Sequence, residues 1–284
     1  ILIASLHPHA GPDTLGLWGP DDRTSGVDPL YMAELKDKLV ATILTALSAA
    51  IKESPGMKSV CLRVPGLAKN ARNPEILDDE LTALQFLDID GQPLVSLFNF
   101  ACHPEVMWEH NTQISADYVG YLRQAVEETT GAPCIFFSGA LGGMMTPDVK
   151  AHTFAEAETI GRHVAKVGLD ALGHASGLPV AGISIQKVEI KVKLTNILYK
   201  LAFWRKLLPD TRDQQGTIIS EVCLLRIGPV WFAAMPGELL PELGLALKAE
   251  MRVAGAQVPG VICLTRKSPS PFPKNSPVIS NCRP

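Results

Sequence analysis

Leu81-Thr82-Ala83-Leu84-Gln85-Phe86-Leu87-Asp88-Ile89-Asp90-Gly91-Gln92-Pro93-Leu94-Val95-Ser96-Leu97-Phe98-Asn99-Phe100-Ala101 decides the fold. Two apolar runs, 81–88 and 93–101, flank the turn-forming Asp88-Ile89-Asp90-Gly91-Gln92. Short runs bounded by Asp, Gly and Pro read as two strands joined by a hairpin. Residues 217–227 and 230–234 repeat the pattern around Gly228-Pro229. Elsewhere strand patterns alternate with helical ones. Hairpins inside an alternating chain predict a mixed β-sheet sandwiched by helices, an α/β fold.

Working outward, strands are expected at 1–6, 59–64, 133–137, 180–194 and 261–264. Asp28-Pro29 supplies an N-cap and a first-turn proline for a helix over 28–53. Further helices are expected from Ser115 or Asp117 to Thr129, and over 154–172, 197–208 and 238–253. Residues 65–79 read as irregular, and 138–146 as a Gly-rich turn. Past Thr265 the periodicity stops in a Pro- and Ser-rich stretch, so a single domain over 1–264 and a tail over 265–284 are expected. That tail is either a surface extension or the product of a shifted reading frame.

The composition narrows the class. With 284 residues, 46% of them hydrophobic, the chain can bury a sizeable core. A net charge of -3 gives no electrostatic case for nucleic acid. No apolar run reaches membrane-spanning length and no signal-peptide pattern opens the chain. Because the chain opens in what reads as a buried strand, further residues are expected to precede Ile1. The six cysteines form no close CxxC pair, which argues for buried free thiols over a zinc ribbon or disulfides.

Three stretches carry chemistry. His7-Pro8-His9-Ala10-Gly11-Pro12-Asp13 places two imidazoles behind an apolar run. In an extended chain they face the same side. His103 ends the 93–101 run and precedes Pro104, as His7 precedes Pro8. Glu238 follows Pro236-Gly237 after the 230–234 run. Two imidazoles and a carboxylate form a common shell for catalytic zinc with an open position. The plain alternatives are loop histidines bonded to backbone and a glutamate favoured by a helix N-terminus. His110, His152, His163 and His174 read as surface or packing residues. The 138–146 turn could offer backbone N–H groups to an oxyanion; it holds no GxSxG and no GK[ST].

In this order the pieces resemble the neutral/alkaline non-lysosomal ceramidase family, in its N-terminal catalytic domain. His7-Pro8-His9-Ala10-Gly11-Pro12-Asp13 echoes a His-Thr-His-Ser-Gly-Pro-Gly motif, and Asn99-Phe100-Ala101-Cys102-His103 echoes Asn-Trp-Phe-Ala-Val-His. Ile114-Ser115-Ala116-Asp117, Gly143-Met144-Met145-Thr146-Pro147-Asp148 and Pro236-Gly237-Glu238-Leu239 match three further segments. The resemblance spans most of the chain to about Leu264. It implies a zinc-dependent amidase acting on the N-acyl bond of ceramide, with His7, His103 and Glu238 as metal ligands. His9 then matches a second histidine of the site, and Arg72 loosely matches an active-site arginine. The chain departs from the family at Thr146, where the family has serine. It also lacks a downstream tyrosine ligand, since no tyrosine follows Tyr199. The reading is a short, divergent member, with secretion or a periplasmic home implied by the family alone.

The expected chemistry is zinc-assisted hydrolysis of an acyl bond in a small-molecule or lipid substrate. His9 moves the proton, with Thr146 near the oxyanion. An ester is easier to cleave than an amide, so esterase activity on the same fold is an alternative. So are a non-catalytic relative with a degraded metal site and a metal-free serine hydrolase using Ser138, His9 and Asp13. The helix over 197–208 could pack internally, line an acyl pocket or touch a membrane surface.

Overall fold

The computed structural model describes residues 1–265 apart from 17, 22–23, 50–55, 110, 181 and 206–215. In chain order the elements begin with α1 (Pro29–Ser48), β1 (Gly56–Arg63), β2 (Ala68–Asn70), β3 (Glu80–Leu87) and β4 (Pro93–Phe100). Then come α2 (Asp117–Thr130), β5 (Cys134–Ser138), β6 (Met145–Pro147), α3 (Phe154–His174) and β7 (Leu178–Pro179). The chain continues through β8 (Ile183–Lys193), α4 (Ile197–Trp204), β9 (Thr217–Ile227), β10 (Val230–Ala234), α5 (Pro241–Val253) and β11 (Val258–Ile262).

The β3–β4 hairpin forms as its sequence indicates. Asp88 Oδ1 accepts the N–H groups of Asp90 and Gln92 at 2.9 and 2.7 Å, and Gly91 takes φ 77°. Such a turn suits an aspartate that bonds its own backbone and a glycine free to turn left-handed. The pairing around it is mixed. In the five-stranded sheet, ordered β5-β4-β3-β1-β7, only β4 and β5 run parallel. In the four-stranded sheet, ordered β11-β10-β9-β8, only β10 and β11 do.

The sandwich therefore holds two principal sheets rather than one. Alternation along β3 and β4 explains the layering. Leu81, Ala83, Phe98 and Phe100 turn towards Tyr118, Leu122 and Val164 of α2 and α3. Leu84 and Leu97 turn the other way, onto Val230, Phe232 and Ile262 of the second sheet. α5 covers that sheet's far side through Met251. Each fully buried large side chain contributes roughly 2–3 kcal/mol. Asn99 bolts the sheets together, its Nδ2 donating to Phe137 O at 2.9 Å and Val261 O at 2.8 Å. Buried Lys248 on α5 binds Asp78 Oδ1 and Oδ2 at 2.7 and 2.8 Å, with Glu80 Oε2 3.3 Å away, and this pairing offsets its desolvation.

Several expectations are corrected. Residues 1–6 form no sheet strand; Ile1 and Ile3 are exposed, and the segment touches the second sheet through the Ala4–Thr265 bridge. β2 and β6, a small antiparallel pair, lie in stretches read as irregular or as a turn. Neither Ser115 nor Asp117 is the N-cap of α2: Ala116 holds that place, and Asp117 opens the helix at φ 54°. α5 starts at Pro241, so Glu238 lies in the preceding loop and the helix-dipole reading does not apply to it. α4 packs through buried Phe203, while Ile197, Leu198, Tyr199, Leu201 and Trp204 are exposed. The five cysteines among the described residues are free thiols, as expected. The tail over 266–284 and His110 lie outside the described residues. Among the described residues no helix is long and apolar enough to cross a membrane.

Candidate metal centre

The carboxyl ends of β4, β5, β10 and β11 converge, and the N-terminal segment crosses them. Ser138 Oγ, at the end of β5, donates to Leu6 O at 2.9 Å. His9 N–H donates to Pro104 O at 3.1 Å, and Ser115 N–H to Ala10 O at 2.9 Å. These bonds press 7–10 against the loop after β4. Loops at the carboxyl ends of strands are where α/β folds place ligands.

His7 stands at φ 64°, a left-handed conformation that costs a non-glycine residue energy. The chain therefore does not stay extended through His7, and the expected strand alternation is not what aligns its ring with that of His9. The bend does it. His103 is fully buried just past β4, with both its backbone N–H and its ring Nδ1 on Met145 O at 2.8 Å. A carbonyl only accepts, so Nδ1 carries the proton and Nε2 keeps a lone pair for the cleft.

Glu238 arrives from the second sheet. Gly237 turns at φ 76°, Leu264 N–H donates to Gly237 O at 2.9 Å, and Gly142 N–H donates to Leu239 O at 2.8 Å. The carboxylate then spans the histidines, with Oε1 3.3 Å from His7 Nε2 and Oε2 3.5 Å from His103 Nε2. The rings of His7, His9 and His103 have centroids 4.9, 5.2 and 5.3 Å apart. Their ligand atoms lie within 4.8 Å of one another.

These spacings suit an ion. Donors about 2 Å from a shared tetrahedral zinc stand about 3.3 Å from each other, and imidazoles on it have centroids about 5 Å apart. A charged hydrogen bond would be nearer 2.8 Å. The donor set, imidazoles with a carboxylate, is also one zinc accepts.

The electrostatics agree in part. Burial, with His103 and His9 nearby, lowers the pKa of His7 against the pull of Glu238, which favours a neutral ligand. Burial would lower His103 too, but the facing Glu238 carboxylate and the bond to Met145 O raise it overall. The facing His103 ring holds Glu238 below the usual carboxylate range, against burial and helped by His7.

His9 does not face Glu238 in the same way. Its Nδ1 lies 2.8 Å from Oε2 of Glu105, a buried residue the sequence reading passed over. Burial would raise the pKa of Glu105, but His9, Thr146 and His103 bring it below the ordinary value. Its Oε1 is buried with no hydrogen-bond partner of good geometry. The signal was present as His103-Pro104-Glu105, a carboxylate two residues beyond a strand-end histidine. Thr146, on β6, is buried beside Glu105.

Other expected site residues are held by different contacts or by none. Arg72 is exposed on the loop after β2, and its guanidinium makes no hydrogen bond or ion pair among the described residues. In the Gly-rich turn the N–H groups of Gly139, Leu141 and Gly142 are already given to Phe100 O, Gly139 O and Leu239 O, so they offer no oxyanion hole. Ser138 is buried and committed to Leu6 O, while the Asp13 carboxylate accepts N–H groups of Leu15, Gly16 and Trp18. A serine-hydrolase set is not assembled. His152 stacks on Trp108 at 5.4 Å, a packing role as expected.

The fold is one seen in solved ceramidases. The neutral ceramidase from Pseudomonas aeruginosa superposes with a TM-score of 0.68 at 16% identity, over 92% of this chain and 53% of that one. A ceramidase complexed with C2 gives 0.71 at 15% identity, over 93% and 55%. The chain thus spans about half the length of either. No family profile and no curated protein matches the sequence.

Proposed function

We propose that this chain is a metal-dependent hydrolase of acyl bonds, amide or ester, in lipid-like substrates. The observation that carries the reading is the span of Glu238, 3.3 Å from His7 and 3.5 Å from His103, the spacing of donors sharing one ion. The likeness of fold to ceramidases supports a lipid amide as the substrate class.

His7, His103 and Glu238 would hold zinc. When bound, zinc supplies Lewis acidity, polarising an acyl carbonyl and making water a stronger acid. His9, half-exposed beside the ligands, accepts a proton at Nε2 and returns it to the leaving group. Thr146, buried beside Glu105, would turn its hydroxyl to oxygen gaining charge, a role carried by its sequence match. Arg72 stands with them as a substrate contact on its sequence match alone. The exposed apolar side chains of α4, ending in Trp204, would rest on the lipid surface.

Elemental analysis of the purified chain, with His103→Ala as control, tests the reading. About one zinc per chain, lost in the variant, is expected, followed by turnover in an ester and amide screen. A parent that holds no zinc after dialysis against excess metal overturns it.

A further inference from the structure

The environment of Glu105 asks for an explanation that the three ligands do not give. A buried carboxylate is costly unless its oxygens are bonded, and Glu105 is buried. Here the close contact is to His9 Nδ1 at 2.8 Å from Oε2, Thr146 stands beside the carboxylate, and buried Oε1 has no hydrogen bond of good geometry. Unsatisfied buried polar atoms persist where function needs them. The pair is also built rather than accidental. Pro104 O takes the His9 backbone N–H at 3.1 Å, so the loop carrying Glu105 fixes both the main chain and the ring of His9. The same loop begins at His103, a proposed ligand, and its next turn is closed by Trp108 N–H on Glu105 O at 3.2 Å.

We infer that Glu105 is a positioning residue for His9, selecting the Nδ1–H tautomer so that Nε2 presents its lone pair to the reacting groups. A carboxylate can only accept, so the proton of a neutral His9 must stay on Nδ1. Free imidazole prefers the other tautomer, whose Nε2 is already protonated and cannot take a proton. Base, orienter and reacting centre then stand in the order known to make an imidazole a competent proton carrier. The inference rests on the proposed hydrolase for its consequence, but the tautomer itself can be read without turnover.

Nitrogen-15 NMR of the histidine rings in metal-free protein, above the range where imidazole is charged, provides the test, with His9→Ala assigning the signal. The wild type is expected to show His9 protonated at Nδ1. Glu105→Gln, which keeps an acceptor oxygen, should retain that state. Glu105→Leu fills the buried space without an acceptor and should release His9 to the Nε2–H form. With p-nitrophenyl butyrate as probe, Glu105→Leu should lower kcat roughly 100-fold with KM little changed, and Glu105→Gln should recover most of it. A wild-type His9 protonated at Nε2, or a tautomer and kcat indifferent to Glu105→Leu, overturns the inference. A wild type with the Nδ1–H tautomer but no turnover on esters or amides counts against the hydrolase and leaves the positioning of His9 standing.

Discussion

Gly142 lies directly against the backbone of Glu238. A methyl group on Gly142 would stand 2.8 Å from Glu238 O and 2.7 Å from Leu239 O, while the Gly142 N–H is bonded to Leu239 O. The glycine lets the loop from the second sheet come close enough to the first for Glu238 to reach both histidines. Carbonyl oxygens at such distances cannot yield without moving the loop. Gly142→Ala should therefore displace the carboxylate and weaken zinc binding about 10–100-fold, the range seen when support behind a ligand is removed. Competition with a chelating dye measures this. An unchanged zinc affinity in a folded Gly142→Ala protein would show that the close approach is incidental to the site.

A second close approach holds the helical layer together. Gly161 on α3 packs against Tyr118 O and within 2.8 Å of Leu122 N of α2, measured from where a methyl would sit. On propensity alone, Gly→Ala in a helix gains about 1 kcal/mol. Overpacking against backbone costs about 1–3 kcal/mol and sometimes more. The clash should win because neither contact is a flexible side-chain end. Gly161→Ala is expected to lose roughly 2 kcal/mol, read as a shift in urea midpoint at constant slope. Gly173→Ala, in the same helix with open space around it, serves as the contrast and should be neutral or stabilising. A stabilised Gly161→Ala would mean the two helices separate at little cost.

What the sequence disclosed follows the reach of its signals. The β3–β4 hairpin was legible because its cause is local: an aspartate, a glycine and two apolar runs within a few residues. The division into two sheets was not. It depends on which faces of β3 and β4 meet β10 and β11, a pairing no local pattern records. The apolar run at 1–6 misled for the same reason, since its one ladder contact is Thr265 at the far end of the described chain. At the site, His7, His103 and Glu238 were legible by their shared place after strands, and the structure gathers them. The route differs at His7, where a left-handed bend replaces strand alternation. Glu105 left only its place two residues beyond His103; its meaning comes from burial and from His9, which folding alone brings within 2.8 Å. Arg72 had a sequence match and no contact to support it.

The buried thiols set an alkaline limit on the fold. Burial pushes Cys134 from 9.0 to about 12, against the pull of Arg123, and Cys263 from 9.0 to about 11. A thiol that ionises less readily when folded gives stability that is whole below its unfolded value. As pH rises past about 9 the unfolded chain loses protons that the folded chain keeps, and the equilibrium moves towards unfolding. The loss should run from about pH 9 towards 11 and 12, the folded values of the two groups. Cys102 and Tyr118 are pushed up by burial in the same sense. Cys134→Ala removes one contribution and leaves the others. It should cost roughly 1 kcal/mol at neutral pH, as an ordinary core truncation does. Its Tm should then fall less steeply than that of the parent between pH 8.5 and 11, so the two curves converge. Circular dichroism melts across that range decide it, and parallel curves would place the alkaline transition on other groups. The same burial should keep Cys134 and Cys263 from reacting with iodoacetamide at pH 8 until the chain is unfolded.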